Sequence, residues 1–337
     1  MEALLYGKLE DQKVECFLCS HRCAIAEGKR GICHVRENRC GTLHTLVYGR
    51  LIARHIDPIE KKPLYHLLPG SLSYSIATVG CNFRCRFCQN ADIAQFPADR
   101  GGAIRGDSVK PEEVVKAAER AGCRSISYTY TEPTIFFEFA LETARLANSR
   151  GLRNVFVTNG YMTAEALDMI APVLDAANVD LKAFSRKFYK DICGAKLEHV
   201  QATLRNMKSK GVFVEVTTLI VPGLNDDPDE LKALAGFLAQ DLGRDTPWHI
   251  SRFHPTYRLT DRPPTPVKTL QLVREIGRAA GLKYVYTGNV PGDPGENTSC
   301  PACGEMLIER WGFQVQRSRL KDGRCVPCGE IIKGVWK

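Results

Sequence analysis

The sequence predicts an α/β fold built on a parallel sheet, with a small cysteine-rich appendage at each end. Three observations carry that expectation. Short β-branched or aromatic runs alternate with amphipathic stretches through the middle of the chain, the rhythm of βα units joined by right-handed crossovers. The amphipathic stretches open on Pro or acidic residues, or end at Gly, as helices do. Twelve of the fourteen cysteines fall into three groups, within residues 16–40, 81–88 and 300–328.

In chain order, the first strand is SYSIATV (73–79), and PEEVVKAAERAG (111–122) supplies the first helix. RSISYTY (124–130) is the second strand and TIFFEFALETARLANSRG (134–151) the next helix. Strands LRNVFVT (152–158) and NVDLK (178–182) follow, then the helix EHVQATLRNMKSKG (198–211). VFVEVTTLIV (212–221) and WHISRF (248–253) complete six strands; the helix PVKTLQLVREIGRAAG (266–281) and a trailing strand, KYVYTG (283–288), close the series. Periodicity leaves open whether this sheet is open or curved into a barrel, but in either case the C-terminal strand ends should carry the chemistry. The expected division is 1–70 as a cysteine-rich segment, 71–290 as the sheet domain, and 291–337 as an appendage opening on the turn-rich PGDPGENTS.

Hydrophobic residues make up 44% and charged residues 25% of the chain, ordinary for a globular protein with a core. The acidic start (Glu2, Glu10, Asp11, Glu15) does not read as a signal peptide. No apolar run reaches the roughly 20 residues of a membrane span, so a cytoplasmic location and no membrane partner are expected. In such a reducing compartment clustered cysteines signal metal ligands rather than disulfides. The net charge of +8 suits an acidic partner such as an electron carrier. Without a Lys/Arg-rich run or a nucleic-acid motif, nucleic acid is not the expected partner. Cys123 and Cys193 stand alone and read as small apolar core residues.

The first strand runs through Gly80 into CNFRCRFCQN (81–90), which spaces Cys81, Cys85 and Cys88 as C-x3-C-x2-C. Three thiolates on one loop hold three irons of a [4Fe–4S] cubane and leave the fourth iron open to a small molecule. A zinc site would need a fourth ligand, which only His55 or His66 could bring from nearby sequence.

At this motif the chain resembles the radical S-adenosylmethionine (SAM) superfamily, and within it the pyruvate formate-lyase activating enzyme-like branch. The resemblance implies a partial (βα)6 barrel in which the open iron chelates SAM, one electron cleaves it, and a 5′-deoxyadenosyl radical abstracts hydrogen from a substrate. TYTEP (129–133) stands where the family has Gly-Gly-Glu-Pro, making Glu132 the candidate for the SAM amino group, with Tyr130 and Thr131 in place of glycines. VTNG (157–160) resembles the Asp-Thr-Asn-Gly of activating enzymes and nominates Asn159, with Val157 in the acidic position. DLK (180–182) nominates Asp180 and Lys182 for the SAM ribose and carboxylate, and FHP (253–255) nominates His254. Each has a structural alternative: a helix-start acid at Glu132, a turn at Asn159–Gly160, an ion pair between Asp180 and Lys182, and a merely hydrogen-bonded His254.

The terminal group pairs CPACG (300–304) with CVPCG (325–329). Two Cys-x-x-Cys knuckles present four sulfurs to one tetrahedral ion, so Cys300, Cys303, Cys325 and Cys328 read as a zinc ribbon, or as rubredoxin-like iron. The first group places Cys16, Cys19, Cys23 and Cys33 as C-x2-C-x3-C-x9-C, with Cys40 outside the set. Zinc, a second [4Fe–4S] cluster, or reduced thiols in a compact cap all fit that spacing.

Along its whole length the chain resembles the radical SAM component of the "AmmeMemoRadiSam" system. The landmarks are GICHVREN (31–38), IEKKPLYHLLPGS (59–71), TVGCNFRCRFCQN (78–90), SYTYTEPTIFFEF (127–139), VDLKAFSRKFY (179–189) and CGEIIKGVW (328–336). That resemblance implies companions of AMMECR type and Memo type, with an electron donor such as flavodoxin or ferredoxin. The alternatives are an activase that installs a glycyl radical on a partner protein and, in another class, a metal-stapled binding module whose cluster only carries electrons. The open side of a partial barrel and the basic charge together point to a macromolecular substrate.

Overall fold

Eight strands form one sheet in the computed structural model, which describes residues 1–290 and 292–337. They are β1 (Ala53–Pro58), β2 (Leu72–Ala77), β3 (Ser125–Tyr128), β4 (Arg153–Thr158), β5 (Ala176–Asp180), β6 (Phe213–Ile220), β7 (Trp248–Arg252) and β8 (Val285–Gly288). Each strand lies beside its neighbour in sequence, and β1 and β8 are the two unjoined edges. Every pairing from β2 to β8 is parallel; only β1 with β2 is antiparallel. This is the partial barrel expected. All six strands read from the sequence and the trailing seventh are present. β1 had no signal because ARHIDP mixes apolar and charged residues without alternation, and as an edge strand it leaves Arg54, His55 and Ile56 exposed. Pro291, where the expected linker begins, lies outside the described residues.

Helices α1 (Pro111–Arg120), α2 (Phe137–Ser149), α3 (Ala164–Ile170), α4 (Leu197–Ser209), α5 (Pro228–Phe237) and α6 (Val267–Ala279) fill the crossovers. Of these, α3 and α5 had not been expected. α5 begins where the Asp227 carboxylate accepts the N–H groups of Asp229 and Glu230 at 3.0 and 2.9 Å, the usual N-cap arrangement.

The register divides the sheet into two unlike faces. Ile76, Tyr128, Phe156 and Ala177 follow one another across one face, continued by Val179, Val216, Trp248 and Val285. All are buried and form the apolar core shared with the helices. On the opposite face lie Ser75, Ser127, Asn178, Glu215, Thr217, His249 and Tyr286. Burying so many polar groups requires partners, and residues 59–71 supply them by crossing the concave face. Glu215 accepts the backbone N–H of Tyr65 and His66 at 3.1 and 2.8 Å, and His249 bonds the same carboxylate at 2.6 Å. Asn178 donates to the Pro63 carbonyl at 2.8 Å.

The C-terminal ribbon leans on this plug. Arg310, 4% exposed, donates to the Tyr65 carbonyl at 2.9 Å and to Thr298 Oγ1 at 2.8 Å, and its guanidinium lies 4.2 Å over the Tyr65 ring. The ribbon and residues 59–71 thus bridge elements on both edges of the sheet. No helix among the described residues is long and apolar enough to cross a membrane.

Candidate functional site

β2 ends at Ala77, and Gly80 turns the chain into the loop of Cys81, Cys85 and Cys88. Gly80 has φ +105°, and a Cβ there would stand 2.7 Å from Val35; only glycine fits. The loop is fixed from several sides. Arg84 N donates to the Cys193 carbonyl at 2.8 Å, Gln95 Nε2 to the Phe83 carbonyl at 3.0 Å, and Asn90 Nδ2 to the Tyr130 carbonyl at 2.8 Å.

The three thiols line a cavity of about 400 Å³ at the C-terminal strand ends, together with Glu132, Asn159, Asp180 and Lys182. That size falls within the roughly 300–1,000 Å³ of small-molecule sites. Glu132 also carries out the helix-start role weighed against it: its Oε1 accepts Thr134 N at 3.0 Å and Thr158 Oγ1 at 2.7 Å, while Oε2 accepts Asn159 N at 2.8 Å. Burial pushes the Glu132 carboxyl above its usual range, and these donors work against that rise. Asn159 donates to Asn82 Oδ1 at 2.7 Å and lies 3.8 Å from Cys81 Sγ, so the turn residue also steadies the cysteine loop.

Asp180, the last residue of β5, and Lys182 just beyond it pair at 2.7 Å. Burial works against the Lys182 charge, yet Asp180 and the Cys85 thiol outweigh it and hold the group above the usual lysine range. The neighbouring Cys193 thiol, with Lys182 nearby, lowers the Cys85 thiol despite burial. Burial instead pushes Cys81 well up and Cys88 to about 11. Cys193 is buried as expected, but it borders the site rather than a remote core. His254 is not brought in: it is exposed and absent from the cavity wall, while its neighbour Phe253 is buried.

Sequence reasoning missed several wall residues. Asn178 and Thr217 are legible in hindsight, because they share a sheet face with Asp180. Lys62 and Phe313 arrive from the plug and the ribbon and had no local signal. Lys62 is 1% exposed, pairs with Asp57 at 2.7 Å and lies 4.3 Å over the Tyr130 ring. Burial lowers Lys62 to about 8, with Asp57 opposing the drop.

Outside the wall of this cavity, the terminal cysteines form two matching knuckles. Gly304 N donates to the Cys300 carbonyl at 3.0 Å, and Gly329 N to the Cys325 carbonyl at 2.8 Å. The Cys300–Cys328 and Cys303–Cys325 sulfurs are 3.6 and 3.7 Å apart, and all four lie within 4.8 Å of one another. Four sulfurs at about 2.3 Å from one tetrahedral ion stand about 3.8 Å apart, so this group fits a single zinc or iron ion. Burial pushes the Cys300 thiol up, but the Cys303 and Ala302 amides pointing at it bring it down to about 7, which favours the thiolate that a metal needs.

The family description "Radical SAM superfamily" matches residues 75–238. An uncharacterized protein of Methanocaldococcus jannaschii is 50% identical over 333 residues, covering 98% of each chain. The pyruvate formate-lyase-activating enzyme of Streptococcus mutans is 23% identical over 50% of this chain and 66% of its own length. The crystal structure of a radical SAM methyltransferase from Sphaerobacter thermophilus shares the fold with a TM-score of 0.52, at 17% identity over 71% of each chain. The barrel, the C-x3-C-x2-C loop at its mouth and these likenesses agree, and the chain is an enzyme that belongs to the radical SAM superfamily.

Proposed function

We propose that the enzyme reductively cleaves SAM to a 5′-deoxyadenosyl radical and uses it to abstract hydrogen from a substrate that approaches over the strand ends. One observation carries the reading: three thiols of a single loop share a cavity of about 400 Å³ with a buried carboxylate and an Asp–Lys pair. The donor set fits the cofactors. A [4Fe–4S] cluster held by Cys81, Cys85 and Cys88 would supply the electron and one iron free of protein ligands. Glu132, fixed by its Thr and amide donors, presents a carboxylate for the SAM ammonium. Lys182 and Asp180 offer a cation for the SAM carboxylate and an acceptor for its ribose, and Asn159 holds the loop through Asn82.

Anaerobic incubation of the reconstituted enzyme with SAM and dithionite should yield 5′-deoxyadenosine, and the triple variant Cys81→Ala/Cys85→Ala/Cys88→Ala should yield none. Equal yields from the two proteins would refute the assignment. The same reading includes a flavodoxin- or ferredoxin-type electron donor, AMMECR-type and Memo-type companions, and a cytoplasmic setting supported by the fourteen free thiols. A second reading, activation of a glycyl-radical enzyme, is favoured by the similarity to the activating enzyme of Streptococcus mutans. It predicts a glycyl EPR signal on a partner protein after turnover.

A further inference from the structure

We propose that Cys16, Cys19, Cys23 and Cys33 hold a second [4Fe–4S] cluster, with the buried Arg36 guanidinium as its countercharge. The four thiols line one small cavity with His21 and Arg36, and all are free. They reach it from separate pieces of chain. Cys16 ends one strand, Cys23 opens the next as its cross-strand partner, Cys19 lies in the turn between them, and Cys33 comes from the loop ahead of Arg36–Arg39.

The spacing discriminates between metal types. A single tetrahedral ion draws its sulfurs to about 3.8 Å of one another, as the terminal quartet shows. Among the described residues, no three of the N-terminal thiols come within 4.8 Å of one another. A cubane takes each thiolate on a different iron, so its ligand sulfurs stand further apart than those around one ion. The quartet shares one cavity without closing on one point, an arrangement that suits a cluster better than a single zinc ion.

Arg36 is the independent observation. It is 1% exposed; its Nη2 lies 3.0 Å from Glu138 and donates to the Leu4 carbonyl. Its Nε and Nη1 have no partner. Buried donors left unsatisfied are costly, and a guanidinium has no means of shedding its charge. A tetrathiolate cluster is anionic and rich in sulfur acceptors, so it would satisfy both donors at once. The site also backs directly onto the central loop. The Cys33 carbonyl packs 3.3 Å from where a Cβ on Gly80 would stand, one residue before Cys81, and His21 Nε2 bonds the Asn82 carbonyl at 2.8 Å.

The proposal is independent of the radical chemistry and is tested with the central site removed. The full-length Cys81→Ala/Cys85→Ala/Cys88→Ala variant is reconstituted anaerobically with iron and sulfide, and its acid-labile sulfide is measured. The ribbon's single ion carries no sulfide, so any sulfide reports a cubane elsewhere. The variant should keep about half the wild-type sulfide, with visible absorption and an EPR signal on reduction. Adding either Cys19→Ala or the less buried Cys23→Ala should remove all three, while adding Cys123→Ala should not. Arg36→Gln should make the retained cluster harder to reduce. A folded triple variant without sulfide, or one holding a second zinc in place of sulfide, would overturn the proposal.

Discussion

The terminal cysteine quartet and the central triad are both clusters of thiols on turns, and they differ in the two respects that separate structure from chemistry. The quartet is complete: four sulfurs converge on one point, Cys303 and Cys328 stand at the surface, and the group lies apart from the cavity. The triad is incomplete. Its sulfurs do not converge on one ion, and they face a cavity with a fixed carboxylate and a buried cation. A closed ligand set has nothing left to offer a substrate, whereas an open one in a polar cavity does. The largest expected effect follows from that contrast. Alanine at the three central cysteines should abolish SAM cleavage and leave the ribbon's metal content unchanged, whereas Cys303→Ser should do the reverse. Loss of turnover from Cys303→Ser with the central cluster intact would break the division.

The next effect tests whether the ribbon is only a closed metal knob. Arg310 inserts into the space between residues 59–71 and the segment after β8, where it stands 3.8 Å from Glu60, and both side chains are fully buried. Removing one member of a buried pair leaves the other charge uncompensated and costs roughly 3–5 kcal/mol. Arg310→Ala should therefore lower unfolding stability by about that amount in urea titrations, without changing the metal bound by the four terminal cysteines. No change in stability would mean that the ribbon is an independent appendage.

The same contrast explains what was legible in the sequence. The six strands and four of the long helices carry their signals locally, in alternation, Pro starts and Gly stops, and so does the spacing of each cysteine group. Asp180–Lys182 was readable as a pair because residues two apart share a strand face. The crossing of residues 59–71 was not readable, because what stabilises it is distant: Glu215 for Tyr65 and His66, Asn178 for Pro63. Arg310 had no local signal, since its partners lie more than 200 residues away in Tyr65 and Glu60. His254 is the opposite case: a local motif match nominated it, and the chain buries its neighbour Phe253 while the histidine stands exposed outside the cavity wall.

A smaller effect probes Glu132 within the open site. Its carboxylate is already oriented by Thr134, Thr158 and the Asn159 amide, so Gln at this position keeps the shape and removes the charge. A charge-assisted hydrogen bond is worth roughly 1.5–3 kcal/mol, which predicts SAM binding about tenfold weaker or more in Glu132→Gln. Calorimetry on the reconstituted enzyme would measure it. An unchanged dissociation constant would reduce Glu132 to the capping role that its bond to Thr134 N already shows.

The smallest expected effect concerns Lys62, the buried cation in the cavity wall that no motif announced. Burial lowers it to about 8 from the ordinary 10.5, so the folded chain loses this proton at a pH where the unfolded chain keeps it. Above pH 8 the unfolded state binds more protons at this group, and stability contributed by Lys62 must rise with pH until the unfolded lysine also titrates. The rise is at most about 1.4 kcal/mol for each pH unit, and less where water reaches the ammonium. Other groups titrate in the same range, including the cysteines, so the quantity to follow is wild-type stability minus that of Lys62→Met. That difference should increase by about 1 kcal/mol across one pH unit above 8 in denaturant titrations. A flat difference would mean that Asp57 and the Tyr130 ring hold Lys62 charged throughout, making the cavity wall a fixed cation rather than one that switches off in mild alkali.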